Sequence, residues 1–242
     1  MKITHITHSC FLVEMEKNTF LFDWYKGELP PFDLSKKIYV LSSHKHQDHF
    51  NIEIFTKMAD YPVVSYILSK DIRLSPTYLE RNGIDPAVKE QITFVGKNQV
   101  YEFGTFDNHL EVKTLTSTDA GVAFVLSCEG NVIYHAGDLN WWTWQGEELE
   151  EEKKMEQNYI REINKLKGTH FDVAFVVLDP RQEERYWWGL DYFMRAVCPE
   201  KVVPMHCWGK YSIIDKLKQE KCAKGYVNKI ISMDREGQIL NL

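Results

Sequence analysis

The segment His44-Lys45-His46-Gln47-Asp48-His49 constrains this chain more than any other, because it places three imidazoles and one carboxylate within six residues. It directly follows the run Ile38 to Leu41, whose apolar and β-branched composition is typical of a strand. Side chains alternate along an extended backbone, so His44 and His46 point the same way and can share one ion. Asp48 and His49 lie in the turn that follows and can fold back towards a second ion.

Imidazole nitrogens and carboxylate oxygens together suit zinc, manganese or iron. The alternative is a polar loop that is merely rich in histidine, since the chain has nine histidines among its 242 residues. An isolated His-x-His pair would be weak evidence, whereas three histidines and an aspartate at this spacing are much more specific. The segment therefore predicts a metal centre at the end of a strand.

Composition and charge exclude several other classes of protein. With 44% hydrophobic and 26% charged residues, the chain resembles an ordinary soluble globular protein. Its apolar runs are too short to span a bilayer, and its N-terminus lacks the features of a secretory signal. Five cysteines without a Cys-x-x-Cys pair are typical of free thiols in a reducing compartment, so we expect a cytoplasmic protein.

The partners that these features favour are small molecules. A formal net charge of −6 disfavours general affinity for nucleic acid or for an anionic membrane. The sequence leaves open whether the chain forms a homo-oligomer.

The chain contains no repeat, low-complexity tract or flexible linker, which predicts one domain over residues 1–242. Short strand-like runs fill the first fifty residues and are close enough to form an antiparallel meander; they are Ile3–Ile6, Cys10–Met15, Thr19–Phe22 and Ile38–Leu41. A helix is expected over Asn51–Ala59, and strands over Val63–Leu68 and within Ile92–Val125.

The second half alternates between helical and strand-like patterns. Apolar residues at helical spacing predict a helix within Glu147–Lys167, and an acidic run at its start would favour the positive end of the helix dipole. The remaining predictions are strands at Asp172–Leu178, Lys201–Pro204 and Lys229–Met233, with helices near Leu190–Val197 and Ile213–Cys222. This order favours two sheets packed face to face with helices outside.

The pattern His-x-His-x-Asp-His resembles that of the metallo-β-lactamase-fold hydrolases. The resemblance implies an α+β fold, an αββα four-layer sandwich of two mixed sheets with helices outside, and one or two metals held by loops at one edge. Asp138, in the Gly-Asp turn after the run 132–135, is similar to the family's bridging aspartate. His206, after the run Val202 to Met205, resembles the histidine that completes the second metal site.

One expected ligand is absent from the sequence. The family normally places a third histidine on the first metal, just before a glycine and a strand, but the matching stretch 116–124 contains none. Asp119 is the obvious substitute, and a carboxylate there would shift preference towards manganese or iron. Asp119 could equally be a turn residue that touches no metal. His109 lies too far upstream for the family's order.

Four more residues are candidates for contacts around the centre. His8 resembles a histidine in the opening strand of the branch that contains ascorbate-6-phosphate lactonase, and it could support the metals, bind substrate or be structural. Asp23 is similar to the family's aspartate that supports the metal-binding loop. Trp142 follows Asp138 closely enough to border the site, although aromatic clusters more often build core.

Arg181 follows a predicted buried strand and could bind a substrate carboxylate or phosphate. The alternative is a salt bridge with a nearby acid; the acids in question are Glu183, Glu184 and Asp191. The histidines interpreted as structural are His5, His135 and His170.

The resemblance implies a metal-dependent hydrolase of a small ester, lactone or phosphoester, working through a water activated by one or two divalent ions. Zinc is the first expectation, with manganese and iron(II) as alternatives. Asp48 would hold or deprotonate the water as the catalytic residue. The alternatives are a nuclease or RNA-processing enzyme and a non-catalytic relative with a weakened first site. A flavodiiron-type redox protein is disfavoured, because that group replaces the motif's second histidine with glutamate and His46 is present here.

Overall fold

The computed structural model describes residues 1–240, which form two β-sheets and the helices that flank them. The strands are β1 (Lys2–Thr7), β2 (Cys10–Glu14), β3 (Asn18–Phe22), β4 (Lys37–Ser42), β5 (Val64–Ser69), β6 (Ile92–Val95), β7 (Val100–Thr105), β8 (Asn108–Thr116), β9 (Val122–Cys128), β10 (Asn131–His135), β11 (Val173–Val177), β12 (Lys201–Met205) and β13 (Ile239–Leu240). Seven strands form one sheet in the order β13-β1-β2-β3-β4-β5-β6, and six form the other in the order β12-β11-β10-β9-β8-β7.

In the described part of the chain, five α-helices flank the sheets. They are α1 (Ile54–Lys57), α2 (Pro76–Arg81), α3 (Leu149–Asn164), α4 (Trp188–Ala196) and α5 (Ser212–Gln219). Short 3₁₀ segments occupy Pro86–Gln91, Pro180–Arg185, Cys222–Gly225 and Val227–Lys229. Among residues 1–240, no helix combines the length and the apolar character needed to cross a membrane.

Alternation along the strands produces four layers. On β2, Phe11 points into the core between the sheets and packs 4.4 Å from the ring of Phe175 on β11, whereas Leu12 faces a separate cluster that includes residues of α1 and α2. On β10, Tyr134 points outwards and stacks on Phe193 of α4. Both sheets are therefore covered on both faces, and the predicted α+β sandwich of two mixed sheets with outer helices is confirmed.

The predicted antiparallel meander of the first four strands is wrong at its last step. β1, β2 and β3 pair antiparallel, but β3 and β4 pair parallel. The connection over residues 23–36 is long enough to carry the chain back across the sheet, which a parallel neighbour requires. As a result, β4 ends at the same edge as β3.

The helix predicted over Asn51–Ala59 is shorter, because the side chain of Asn51 forms a turn. Its Oδ1 accepts from the Glu53 amide and its Nδ2 donates to the carbonyl of Tyr25, so the helix begins only at Ile54. The long helix predicted within Glu147–Lys167 is present as α3. Three glutamates occupy its first turn, where the helix dipole favours negative charge.

The strand predicted at Lys229–Met233 is wrong. Only a single bridge between Val202 and Ile230 forms there, directly after a 3₁₀ turn. Ile230 and Met233 are both buried, and their spacing of three does not match the alternation of a strand. The last described strand is β13, which pairs antiparallel with β1.

The contact between α3 and α4 provides a test of the outer layer. Tyr159 is fully buried and its hydroxyl donates to the carbonyl of Gly189 at 2.8 Å, so we expect Tyr159→Phe to lower the free energy of unfolding by about 1 kcal/mol. Tyr192→Phe is the matched control, because its hydroxyl bonds Asn164 at the exposed surface. Urea denaturation followed by circular dichroism measures both; equal losses would contradict the assigned burial.

Candidate metal centre

The direction of the strands in the first sheet explains why several candidate ligands lie close together. β1, β3 and β4 point the same way, because β2 is antiparallel to both β1 and β3 and β4 is parallel to β3. Their carboxyl ends therefore share one edge. His8 follows β1, Asp23 follows β3, and the segment 44–49 follows β4.

The second sheet brings its own polar residues to this edge. β10, β11 and β12 are parallel, and Asp138, Asp179 and His206 each lie within three residues of a strand's carboxyl end. Asp119 lies in the turn between β8 and β9, at the end of the sheet where β10 finishes. Loops from both sheets thus meet at one edge of the sandwich.

Two glycines allow the loops to approach closely. Gly121 has a φ of +64°, and a Cβ there would lie 2.0 Å from the carbonyl oxygen of Ser43. Gly137 has a φ of +51°, and a Cβ there would lie 2.6 Å from the Cβ of Ser43. Only glycine fits either position, so the β8–β9 turn and the Gly-Asp turn are both seated against the histidine loop.

The first donor group contains two histidines and two aspartates. One donor atom from each of His44, His46, Asp119 and Asp138 lies within 4.8 Å of the others. His44 Nε2 lies 3.4 Å from Asp138 Oδ2, and His46 Nδ1 lies 3.6 Å from Asp119 Oδ2. The outer half of this group is open to solvent, since the side chains of His46 and Asp119 are 42% and 47% exposed.

The second donor group is more enclosed. It joins His8, Asp48, His49 and His206, whose donor atoms also lie within 4.8 Å of one another. Asp48 Oδ2 faces all three imidazoles, at 3.4 Å from His8 Nε2 and 3.9 Å from the Nε2 atoms of His49 and His206. The three imidazoles are buried, and Asp48 is the partly exposed member.

Asp138 lies between the two groups. Its Oδ2 faces His44 of the first group, while its Oδ1 lies 3.1 Å from His49 Nε2 and 3.3 Å from His206 Nε2 in the second. One carboxylate with an oxygen directed to each group has the geometry of a bridging ligand.

Buried carboxylates orient the imidazoles from behind. Asp23 Oδ2 accepts from His49 Nδ1 at 2.7 Å, and Asp179 Oδ2 accepts from His206 Nδ1 at 2.8 Å. In the neutral form, a proton held on Nδ1 by the carboxylate leaves the Nε2 lone pair facing the centre. In the absence of a bound cation, the neighbouring carboxylates raise the pKa of His49 and His206 despite their burial. Asp23 also accepts from the amide and hydroxyl of Ser43, both at 2.7 Å, which fixes the start of the histidine loop.

The donor atoms themselves lack partners within the protein. Buried side-chain atoms without a hydrogen-bond partner among the described residues include the Nε2 atoms of His8, His44, His49 and His206 and the Oδ1 of Asp138. Orphaned polar atoms of this kind are rare in folded proteins and cost free energy. Five of them directed at one place fit a bound divalent cation, since imidazole nitrogen and carboxylate oxygen are its usual ligands.

Burial and charge set the protonation of the centre. Burial lowers the pKa of His8 to about 4, although the nearby Asp48 carboxylate opposes the shift, so its imidazole is neutral near pH 7. Burial opposes the charge of Asp138, but the surrounding imidazoles hold the pKa of that carboxyl well below its usual range. Both states are the ones that bind a cation.

The backbone at this edge adopts a conformation that non-glycine residues rarely use. His8, Asp23 and His206 have φ values of 48°, 47° and 65°, which place them in the left-handed region. Histidine and aspartate are among the residues that tolerate it best, and all three lie at turns where a strand ends. Two candidate ligands and one supporting aspartate are therefore held in a strained backbone conformation.

The structure brings together all seven residues predicted as metal ligands. The residues predicted to surround the centre make different contacts. Trp142 is buried, donates from Nε1 to the carbonyl of Asp138 at 3.0 Å, and lies 5.6 Å from the ring of His206. Asp23 lies behind the histidine loop, as described above. His109 pairs with Glu102 on the β7–β8 hairpin, in neither donor group.

The salt bridge predicted for Arg181 is wrong in its partner. Arg181 pairs with Asp179, two residues before it, rather than with Glu183, Glu184 or Asp191. The reason is the short 3₁₀ turn that begins at Pro180, which folds the guanidinium back onto the preceding carboxylate. Of the predicted structural histidines, His135 lies between the sheets with its Nε2 near the carbonyl of Ser9. His5 bonds the carbonyl of Arg235, and His170 is exposed.

Sequence reasoning missed Asp179 and underestimated His8. Asp179 comes shortly after a buried strand, as Asp138 does, and that shared position is the signal that could have identified it. His8 also follows a strand, but its place in the second group depends on β1 and β12 ending at one edge, which the sequence does not show. Trp208 was also missed; its ring lies 4.5 Å from that of His8.

Comparisons with known proteins identify the family and the fold. Residues 2–155 match the family described as "Beta-lactamase superfamily domain". A UPF0173 metal-dependent hydrolase from Anoxybacillus flavithermus is 26% identical over 149 residues, covering 57% of this chain and 63% of that protein. The match thus spans less than two thirds of the relative's length.

Solved structures resemble the chain over nearly its whole length. Igni18, a metallo hydrolase from Ignicoccus hospitalis, superposes with a TM-score of 0.63 at 17% identity and covers 98% of this chain and 96% of its own. The short form of human tRNase Z gives a TM-score of 0.55 at 11% identity, with 100% and 99% covered. At these identities the likeness shows the fold alone.

Variants that lack a single carboxylate should show which donor group each carboxylate serves. We expect Asp138→Ala to abolish metal loading, because it takes an oxygen from both groups, and Asp119→Ala to reduce loading from about two equivalents to about one. Elemental analysis after metal reconstitution measures both, with the exposed Asp33→Ala as control. If Asp119→Ala leaves stoichiometry and ion preference unchanged, Asp119 is a turn residue and not a ligand.

The close approach of Gly121 gives a separate prediction. Gly121→Ala should lower the free energy of unfolding by about 2 kcal/mol or more and weaken metal binding, because the new Cβ displaces Ser43 and His44. Gly130→Ala is the matched control: its φ is +73°, and a Cβ there meets nothing within 4 Å. Thermal melts with and without added zinc measure the effect; equal losses in the two variants would refute the role given to the close approach.

Proposed function

Because the chain belongs to the beta-lactamase superfamily domain family, we propose that it is a metal-dependent hydrolase of a small ester, lactone or phosphoester. The observation that carries this proposal is the Asp138 carboxylate, which lies between two groups of donors whose buried Nε2 atoms have no other partner among the described residues. A divalent ion bound there would lower the pKa of a water towards neutrality and polarise the bond under attack.

The protein's own groups would hold and orient the reactants. In our assignment His44, His46, Asp119 and Asp138 hold one ion, and His8, Asp48, His49 and His206 hold or border the other. Burial opposes ionisation of Asp48, but the nearby imidazoles of His8 and His49 hold its pKa below the usual range. An ionised, partly exposed carboxylate at this position can accept a hydrogen bond from the attacking water and orient it.

The identity of the ions is part of the proposal. Zinc remains our first candidate because imidazoles predominate among the donors. Manganese and iron(II) are the alternatives, favoured by the carboxylate of Asp119 at the place where the resemblance noted in the sequence implies a histidine. The lactonase-like branch and the cytoplasmic location both stay predictions from the sequence. A non-catalytic relative with a weakened first site remains the opposing hypothesis.

One surface feature favours a phosphodiester as the second candidate substrate. Three lysines, Lys45, Lys70 and Lys97, line a cavity of about 490 Å³ that also includes Ala120 and Gly121, next to the first donor group. Cationic side chains beside a metal centre could hold the flanking phosphates of a nucleic acid. The net charge of −6 weighs against general nucleic-acid affinity, so we rank this candidate second.

A substrate panel tests the proposal. Reconstituted with zinc or manganese, the protein should hydrolyse at least one 4-nitrophenyl ester, lactone or bis(4-nitrophenyl) phosphate. Asp48→Asn should lower kcat by about 100-fold or more, because it removes the carboxylate that orients water. The exposed Asp33→Asn is the control. A metal-loaded protein with no activity on any class would favour the non-catalytic alternative.

The lysine cavity makes the two candidates separable. Lys45→Ala combined with Lys97→Ala should raise the KM for a phosphodiester and leave ester hydrolysis unchanged if nucleic acid is the substrate. Salt dependence of KM provides the second measurement, since phosphate contacts weaken as salt rises. If the wild-type protein and the double variant have the same KM for the phosphodiester, nucleic acid is refuted as the substrate.

A further inference from the structure

A small groove opens directly onto the centre from the side of the second sheet. Its volume is about 240 Å³, and it is lined by Thr118, Asp119, Asp138, Trp142, Trp144, Met155 and Arg181. This lies below the range of about 300 to 1,000 Å³ that is common for drug-sized ligands, so the groove suits a smaller molecule. It reaches Asp119 and Asp138, which belong to the donor groups, so a molecule lying in it would touch the reacting position.

One wall of the groove is apolar and rigid. The indoles of Trp142 and Trp144 lie nearly parallel, with ring centres 6.2 Å apart and 9° between their planes. The hydrogen bond from Trp142 Nε1 to the Asp138 carbonyl fixes the first ring, and Arg185 donates to the carbonyl of Trp144 at 3.0 Å. Met155 of α3 extends the same wall. A flat apolar group can pack here with little ordering cost to the protein.

The groove carries one cation among its described lining residues, the guanidinium of Arg181. Its Nε donates to Asp179 Oδ1 at 3.0 Å and to Oδ2 at 2.9 Å, and its Nη2 donates to Oδ2 at 2.5 Å. The guanidinium carbon lies over the ring of Trp208, 4.6 Å from the ring centre. Nη1 donates to no acceptor found within residues 1–240, and the side chain remains 48% exposed. The guanidinium is thus held in place with one donor edge free.

We propose that this groove selects small substrates that carry two features: an apolar, preferably aromatic, group for the tryptophan wall and an anionic group, carboxylate or phosphate, for Arg181. The proposal rests on the hydrolase function proposed above, which it deepens by naming the substrate class. A free N–H edge of a fixed guanidinium matches an anionic oxygen better than a neutral one. An uncharged substrate would leave that edge paired only with water.

A matched pair of esters tests the anionic requirement. Mono(4-nitrophenyl) glutarate and 4-nitrophenyl pentanoate share the leaving group and chain length and differ by one carboxylate. We expect Arg181→Gln to lower kcat/KM for the glutarate ester by about tenfold or more and to leave the pentanoate ester within about twofold. Arg161→Gln, which removes a charge from the exposed face of α3, should change neither.

Metal content must be measured on the same samples, because Asp179 also bonds His206. Arg181→Lys keeps the charge but lacks the planar fork, so it should recover only part of the selectivity and should retain the metal. Equal losses for both esters in Arg181→Gln at unchanged metal content would overturn the assignment of Arg181. If Arg181→Gln loses metal, the two esters are compared in Arg181→Lys instead. Equal losses for both esters in that variant would then overturn the assignment of Arg181.

A binding measurement separates this proposal from the hydrolase proposal. Calorimetry with 4-phenylbutyrate and 4-phenylbutan-1-ol needs no turnover, and the acid should bind the wild-type protein more tightly. Arg181→Gln should remove about a tenfold preference for the acid, whereas Trp144→Ala should weaken both ligands. A preference that survives in Arg181→Gln would show that the carboxylate is held elsewhere and would refute the proposal. An inactive protein that keeps this preference would refute the hydrolase function instead.

Discussion

The fold depends on one constraint: a set of buried imidazoles and one carboxylate must meet where two sheets end, with their free atoms facing each other. Asp138 lies at that junction and faces His44 on one side and His49 and His206 on the other. The parallel β3–β4 pair and the parallel run β10-β11-β12 both serve it, because only parallel neighbours deliver consecutive loops to the same edge. Gly121 and Gly137 let two turns approach the histidine loop, and Asp23 and Asp179 orient the imidazoles. Both features help to bring the donor atoms together.

Local pattern predicted much of this arrangement and missed what depends on long-range pairing. The spacing of His44 to His49 predicted a metal centre from six residues alone, and the resemblance to a known fold added Asp138 to it. The order of strands and helices indicated two sheets packed face to face with helices outside, and the resemblance implied the four-layer sandwich. The parallel return at β4 and the strand expected around Ile230 were wrong, since pairing partners there are set by connections and core packing rather than by composition.

The surroundings of the centre were harder to predict than its ligands. His8 lies in the second donor group only because the turn after β1 meets the end of β12. Arg181 was expected to pair with an acid that follows it, but the turn at Pro180 directs it back to Asp179. Asp179 therefore bonds both His206 and Arg181, which lines the groove, and no sequence pattern predicts that one carboxylate has both partners.

The left-handed backbone at His8, Asp23 and His206 has a thermodynamic consequence. Each such residue costs about 1 to 3 kcal/mol relative to a relaxed turn, and an unpaired buried nitrogen adds to that cost. An ion that binds the folded edge and not the unfolded chain offsets both costs together. Ion binding and ordering of the edge would then be one coupled equilibrium, and a chelator would loosen the three loops while the two sheets beneath them keep their pairing.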